Sequence, residues 1–441
     1  MDVSGPVILL LILSLLTCGV MIAAAVCKPR IQIGKLPLDT YWIVAVIGAL
    51  IILAAGFISP ASLAAGLTAD TAVNPLKILV LFLSMTFISV FLDELGFFRY
   101  LAVQTVRWSG ASQIRLFIAF YLVISLLTVF TSNDVIILTF TPFICYFAKY
   151  AGISPVPYLI GEFVAANTWS MTLLIGNPTN IYLASSFGIG FMDYLSVMAL
   201  PAAAGSLVAF GMVFLVFHRQ FRKPVSAVPD RFAIQDKPAV AIGITVLAVC
   251  VVLLAVSSSF GIEMWAVSLG CAIVLAVICL IRSACRKEIP AAMGHAALRV
   301  PWQFIPFILA MFTIVLAVSQ AGVTEWIAGL LSADSPAFTY GISSFLAANI
   351  INNIPMSVLY AGVLSGASAA SLIPGLYAAV IGSNLGALLT PIGALAGLMW
   401  ISILKKNQVV LTAGRFIGYG IIISIPALLA SLAVLTAVLG C

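Results

Sequence analysis

Apolar residues run along this chain in stretches of roughly twenty, each closed by charged or proline-containing sequence, as helices that cross a bilayer require. Residues 6 to 27 form the first run, with no basic residue before it and Lys28, Arg30 and Lys35 after it. That asymmetry places the N-terminus outside, whereas a signal peptide would carry its basic residues ahead of a shorter core. Residues 41 to 58 return outward, the loop from Ser59 to Pro75 with Asp70 is poor in basic residues, and residues 76 to 92 come back in to Asp93-Glu94. The next piece carries Arg99, Arg107, Trp108 and Arg115. Its mixture of aromatic and basic side chains predicts a helix lying in the cytoplasmic interface.

Two kinds of interruption then appear inside apolar sequence. Residues 116 to 148 are broken at Thr131-Ser132-Asn133-Asp134 and bracketed by Arg115 and Lys149. Two arms of about fifteen residues with basic residues at both outer ends describe a re-entrant hairpin whose tip lies near the membrane's middle. Residues 157 to 187 are broken by Gly176, Asn177, Pro178, Thr179 and Asn180. Pro178 lacks a donor and Gly176 costs backbone entropy, so the helix should unwind there. In lipid, unwound backbone is tolerated only where protein or a water-filled cavity satisfies it, which marks this break as a binding-site candidate.

Residues 194 to 217 lead to a polar cytoplasmic linker, 218 to 237, between an N-terminal half (1 to 217) and a C-terminal half (238 to 441). Two plain spans, 238 to 257 and 264 to 281, precede a basic loop from Arg282 to Arg299. Residues 303 to 320 lead outward to an acidic interfacial segment with Glu325 and Asp334. A second hairpin, 338 to 364, surrounds Asn349-Ile350-Ile351-Asn352-Asn353-Ile354-Pro355. A second broken helix, 374 to 402, is interrupted at Leu389-Thr390-Pro391-Ile392-Gly393, and Lys405, Lys406 and Arg415 precede the last span, 416 to 438.

The halves echo one another in order. Leu95-Gly96 is matched by Ala321-Gly322, Asn133-Asp134 by Asn352-Asn353, Pro178 by Pro391 and Pro201 by Pro426. The first hairpin opens from the basic side and the second from the other, which makes an inverted-topology repeat, the signature of carriers with a midplane site at discontinuous helices. The predicted fold is therefore an all-α polytopic membrane protein of two inverted repeats, each with a re-entrant hairpin and a broken helix. The two tips are expected to meet at the midplane, Asn352 and Asn353 beside Asn133 and Asp134.

Composition agrees: 63% of residues are hydrophobic and 8% charged, so the lipid bilayer is the main partner. On this threading every Lys and Arg except Lys77 lies on the inner side, which explains the net charge of +6 without any nucleic-acid partner. The eight cysteines fall mostly in apolar runs with no CxxC spacing, and the two histidines, His218 and His295, lie in basic loops. No cofactor and no metal site is expected. Enzyme motifs (HExxH, GxSxG, Walker A) are lacking, and a channel would not need inverted broken helices.

The motifs Phe91-Leu92-Asp93-Glu94-Leu95-Gly96-Phe97-Phe98, Ser132-Asn133-Asp134, Asn352-Asn353-Ile354-Pro355 and Ile381-Gly382-Ser383-Asn384-Leu385-Gly386, with Leu389 to Gly393, resemble those of the arsenical pump membrane protein family. That family lies within the ion transporter superfamily, beside citrate and dicarboxylate carriers and sodium/proton antiporters. The stretch Leu173 to Asn180 is similar to the Ile-Gly-Thr-Pro-Pro-Asn stretch of the dicarboxylate branch. The resemblance implies a homodimer with scaffold and transport domains in a bacterial inner membrane, and an arsenical pump would add a separate ATPase subunit. In the carboxylate carriers the tips carry Ser-Asn-Thr. Here Asp134 replaces the Thr of the first, and Asn352-Asn353 departs from the second.

Of fourteen acids, Asp134 alone falls at a predicted tip, where burial is costly and usually functional. It could bind a coupling cation, H+ or Na+, or cap the second arm. The substrate or ion site is expected to comprise Ser132, Asn133, Asp134, Gly176, Asn177, Pro178, Thr179, Asn180, Asn352, Asn353, Asn384, Thr390, Pro391 and Gly393. Glu162 is expected to face the cytoplasmic vestibule. No Lys or Arg falls within the set, and Asp134 would oppose a dianion, so efflux of arsenite, antimonite or a related anion ranks ahead of cation-coupled citrate or dicarboxylate symport, or sodium/proton antiport. Cytoplasmic basic loops leave the C-terminus outside as well.

Overall fold

The computed structural model of the chain describes residues 5–28, 30–33, 36–68, 74–110, 112–222, 232–286, 291–331 and 335–440. Expectations attached to Lys35, Asp70, Asp334, Cys441 and linker positions 223–231 lie outside the described residues. The chain is helical almost throughout, with one two-stranded antiparallel ribbon, β1 (Arg30–Ile33) and β2 (Leu36–Asp39), in which Arg30 stands opposite Asp39.

In the first half the order is α1 (Gly5–Cys27), the ribbon, α2 (Thr40–Ala54), α3 (Pro60–Thr68), α4 (Pro75–Glu94) and α5 (Phe97–Ser109). The hairpin arms α6 (Gln113–Phe130) and α7 (Asn133–Tyr150) follow, then the broken helix as α8 (Val156–Trp169) and α9 (Pro178–Ser186), and α10 (Phe191–Phe217). The second half runs α11 (Lys237–Ser257), α12 (Met264–Arg286), α13 (Ala291–Arg299), α14 (Phe304–Gln320) and α15 (Val323–Leu330). Its hairpin is α16 (Pro336–Ile351) and α17 (Asn353–Ser365), its broken helix α18 (Ala369–Gly386) and α19 (Leu395–Lys406), and its last span α20 (Ala413–Leu439). Among the described residues nine helices are long and apolar enough to cross a membrane.

Local chemistry explains the matched pieces. Gly96 and Gly322 both sit at left-handed φ, 77° and 73°, and open the amphipathic helices α5 and α15. Each glycine N–H closes the preceding turn with a 2.8 Å bond, to the Asp93 carbonyl in one half and the Ser319 carbonyl in the other. Only glycine adopts that φ without a Cβ penalty, so the echo in sequence is an echo in backbone. Pro201 and Pro426 lie inside α10 and α20, which pack on each other. Gly205 permits that approach, since a Cβ there would collide with Ser431, whose hydroxyl donates to the Pro201 carbonyl at 2.9 Å. Small residues and interhelical hydroxyls hold membrane helices together in this way. On the far face of α10, Leu200, Leu207 and Leu215 remain exposed as a lipid-facing stripe.

The halves interlock by exchange. Arm α7 of the first hairpin packs against α19 of the second half, and arm α17 of the second packs against α9 of the first. Lys77, predicted on the outer side, forms an ion pair with Glu263 between α11 and α12, at 2.8 Å.

Three expectations need correction. The first hairpin's arms are 18 residues each, longer than about fifteen. Part of the basic loop from Arg282 to Arg299 is the helix α13. The first broken helix stops at Trp169, well before Gly176, and resumes with Pro178 in its first turn. A first-turn proline forfeits no helical bond and its φ is already set, so Pro178 starts a helix rather than breaking one.

Candidate functional site

Each hairpin tip is a short gap between helices. In the first, Ser132 caps α7 with extended backbone (φ −103°, ψ 143°), its hydroxyl accepting from the Asp134 N–H at 3.3 Å. The cap is therefore Ser132 and not Asp134, whose carboxylate is left without a hydrogen bond or ion pair among the described residues and lines a cavity of about 300 Å3. In the second, Asn352 caps α17 from φ 74° and ψ 155°, a backbone region that disfavours any residue with a Cβ. It is held there by its own amide, which donates to the Ile392 carbonyl at 2.9 Å, while the Asn353 N–H donates to the Gly393 carbonyl at 3.0 Å.

The breaks are also tied to one another. Asn177 caps α9 by accepting from the Thr179 N–H, and its Nδ2 donates to Asn384 Oδ1 at 2.9 Å. Asn384 Nδ2 donates to Asn180 Oδ1 at 2.7 Å and to the Val380 carbonyl at 2.8 Å, and Asn180 Nδ2 donates to the carbonyls of Ser170 and Leu173. Every amide in this chain is oriented by a backbone group, which removes the usual ambiguity between O and N. Asn177, Asn180 and Asn384 are thus joined across the two halves, with the Ser170 hydroxyl added at 3.0 Å. Gly176 is required, because a Cβ would drive into the Ser170 carbonyl oxygen. At the second break Asn349 bridges the Gly386 carbonyl and the Thr390 hydroxyl, and a Cβ on Gly393 would lie 2.7 Å from the Gly386 carbonyl. Pro391 falls in the same break, between α18 and α19.

Several buried polar atoms are left over, two of them amide oxygens at the tips. Asn167 donates its Nδ2 to the Phe163 carbonyl, so its Oδ1 must accept, and Asn133 meets it with Nδ2 at 3.3 Å. Among the described residues Asn133 Oδ1 then has no partner, nor has Asn353 Oδ1, and Thr179 Oγ1 is likewise unpaired. A buried polar atom left unpaired costs about 1–3 kcal/mol, so these atoms at both tips and the first break are candidates to meet a ligand. No hydrogen bond joins the two tips directly among the described residues.

The 300 Å3 cavity runs from Asp134 past Tyr41 and Thr86 to Gln303, Arg30 and Arg299. It therefore lies between hairpin arm α7 with α19 on one side and α2, α4 and α14 on the other. Its basic residues are engaged: Arg30 pairs with Asp39 at 3.0 Å and Arg299 with Asp93 at 2.8 Å. Glu162, expected toward the vestibule, is instead 1% exposed inside α8. Asn167, Ser170 and Asn349 belong to the networks but were not singled out as site residues in sequence. Their signal was weak, since a polar residue inside an apolar helix announces its partner only when its register is known.

Comparison with known proteins places these features. A family model described as citrate transporter matches residues 39–379. The arsenical pump membrane protein of Escherichia coli (strain K12) is 32% identical over 380 residues, covering 80% of this chain and 84% of that protein. A putative arsenical pump membrane protein of Bacillus subtilis (strain 168) is 26% identical over 410 residues, covering 86% of this chain and 90% of that one. Among solved structures, the Alcanivorax borkumensis YdaH transporter superposes with a TM-score of 0.56 at 14% identity, covering 99% of this chain and 98% of that one. Neisseria gonorrhoeae MtrF, described with a class of antimetabolite efflux pumps, superposes with a TM-score of 0.52 at 13% identity, covering 98% of this chain and 95% of its own.

Proposed function

The chain belongs to the citrate transporter family, which makes it a multi-pass membrane transporter, and from that premise we propose that it exports a small, neutral, hydroxylated solute of the arsenous acid type by alternating access. The observation that carries this reading is the unpartnered Asn133 Oδ1 at the first tip, oriented by the bond from its own Nδ2 to Asn167, with an unpartnered amide oxygen on Asn353 at the second. Together with the Asp134 carboxylate they are acceptors, and a solute that presents several O–H donors satisfies acceptors. A fully ionised citrate brings chiefly acceptors of its own and meets Asp134 as a like charge. The relatives named arsenical pump membrane proteins support the same choice.

In this reading Ser132 and Asn352 hold the tips, Thr179 adds a hydroxyl, and Gly176, Pro178, Pro391 and Gly393 shape the breaks. The Asn177, Asn180 and Asn384 lock, with Asn349 and Thr390, keeps the broken helices in register. The 300 Å3 cavity below Asp134 is the inward path. The protein works as a homodimer in a bacterial inner membrane and is driven by an H+ or Na+ gradient. Citrate symport is the second reading, favoured by the citrate transporter description of the matched family model and by helix N-termini at both tips, which attract anions.

Everted membrane vesicles test the choice. Gradient-driven accumulation of arsenite, undiminished by excess citrate, is expected. Citrate transport without arsenite transport would overturn the reading.

A further inference from the structure

Glu162 has no part in the solute site, yet it is the most completely buried carboxyl among the described acids. It lies in α8 at 1% exposure. One oxygen accepts from the Thr141 hydroxyl of α7 at 2.7 Å, and the other has no partner. The indole N–H of Trp400, on α19, lies alongside the carboxyl without reaching hydrogen-bond geometry. Three elements therefore converge on one acid: the arm below the first tip, the first broken helix and the second half of the other broken helix.

No cation among the described residues answers it. Cys145, one turn along α7 from Thr141, is the titratable neighbour on that helix. On the other elements packed against α8, Tyr121 of α6 donates to the Ser206 carbonyl, Tyr194 of α10 to the Met171 carbonyl and Tyr377 of α18 to the Asp193 carbonyl. Tyr158, one turn earlier on α8, donates to Gln113. Tyr419 of α20 lies beside Phe163 rather than the carboxyl. Lys405, Lys406 and Arg415 are exposed at the ends of α19 and α20. An ionised carboxylate at this place would be stranded without a counter-charge, which is strongly unfavourable in a low-dielectric interior. Sodium does not suit it either. That ion wants a shell of oxygens, as hard cations do, and the neighbours here are an indole, a thiol and the Phe163 ring, which packs on Trp400 at 5.0 Å. A bound proton needs none of these.

The position suits coupling. Helices α7 and α8 are antiparallel and touch at two rungs, Asn133 with Asn167 at the tip and Thr141 with Glu162 below it. The first rung orients the Asn133 amide, and the second holds the Glu162 carboxyl. Solvent can come near: a cavity of about 760 Å3, on the side that carries Arg99 and Arg286, is lined by Thr139, Pro142, Phe143 and Tyr146 of the same α7. One helix separates it from Glu162, and Pro142 within that helix leaves a backbone carbonyl without its helical donor.

We propose that Glu162 is the proton-binding site of the transport cycle, taking a proton in one facing state and releasing it in the other through rearrangement of the Thr141 rung. This deepens the proposed function and rests on it for the solute. In proteoliposomes, Glu162→Gln should retain downhill arsenite exchange, because the solute site is untouched, but lose accumulation driven by a pH gradient. One pH unit drives about tenfold accumulation per exchanged proton, equivalent to about 1.4 kcal/mol, and the variant should show none. Thr141→Val should shift the pH midpoint of driven transport while keeping accumulation. A solute-independent reading is infrared difference spectroscopy across a pH jump, where a protonated-carboxyl band should titrate in the parent and be missing in Glu162→Gln. Persistent pH-driven accumulation in Glu162→Gln, or an unchanged carboxyl band, overturns the proposal. If arsenite is not exchanged by the parent, the solute reading fails and the infrared titration alone decides the role of Glu162.

Discussion

The two hairpin tips occupy matching places in the repeat and are built differently. The second is pinned: Asn352 and Asn353 bond to Ile392 and Gly393 in the break of their own half, and Asn349 ties the same break to Gly386 and Thr390. Its cap sits in a disfavoured backbone region, φ 74°, which persists only when surroundings over-determine it. The first tip has relaxed backbone, one amide contact of 3.3 Å to Asn167 and a carboxylate that opens on a cavity. Topological symmetry thus coexists with mechanical asymmetry: one tip is tied to the break of its own half, and the other presents a carboxylate that has no hydrogen bond or ion pair among the described residues.

The largest test of that contrast is at the glycines of the breaks. Gly176→Ala should destabilise beyond about 4 kcal/mol, the range of exceptional substitutions, because backbone blocks its Cβ. Gly393→Ala has more room, and about 1–3 kcal/mol is expected, as for ordinary overpacking. Thermal unfolding in detergent checks the order. Equal losses would break the comparison.

Next comes the lock between halves. Asn384→Ala strips partners from Asn177, Asn180 and Ser170 at once, and at about 1–3 kcal/mol for each orphaned group the sum is several kcal/mol. The same unfolding assay should show a loss near that of Gly176→Ala, with Asn384→Asp no milder, because its second oxygen meets the Asn180 Oδ1 and Val380 carbonyl to which the amide donates.

At the caps, Asn352→Ala should cost about 1–3 kcal/mol, because it removes the amide bond to Ile392 and the cap on Ile354 that hold the strained backbone in place. Ser132→Ala should cost about 1 kcal/mol, the usual value of a helix cap. Hydrogen exchange at Ile354 and Asp134 would compare them. A larger effect at Ser132 would invert the roles given to the tips.

The smallest effect lies outside both tips and serves as their control. Arg282 hydrogen-bonds Asp236 ahead of α11 and holds its carboxyl below the ordinary aspartate value of 3.8. Because the folded value is depressed, the contribution is present above 3.8 and is lost as pH falls through the lowered value. Protease sensitivity of the linker should rise there, and Asp236→Asn should abolish that step without altering either tip.

Much of this was legible because it is written in backbone chemistry. Gly96 and Gly322, Pro201 and Pro426, and the polar interruptions at Asn133 and Asn352 announce themselves through residues with few conformational options. The break at Ser170 was not, since Trp169 and Ser170 are ordinary helix residues and the unwinding follows from Asn180 claiming the Ser170 carbonyl. Pro178 drew attention to the wrong end of the gap for the same reason. Glu162 was misplaced because helical position gives depth, but only packing against α7 and α19 decides whether a side chain meets water or protein. Asp134 and Asn352 show the converse: both were found by their place at a break, while their different constraint came from partners some 40 residues away in one case, at Ile392, and from none in the other.

In the proposed cycle, acceptor atoms at the two tips receive a neutral donor. Calorimetric titration of the purified protein with arsenous acid, and with citrate, tests it most directly when repeated on Asn133→Leu, which removes the amide at similar size. Binding of arsenous acid by the parent, indifference to citrate, and at least about a tenfold loss of affinity in the variant are expected, as a lost hydrogen bond of about 1.4 kcal/mol implies. Tight citrate binding by the parent, with arsenous acid bound equally by parent and variant or not at all, would contradict it.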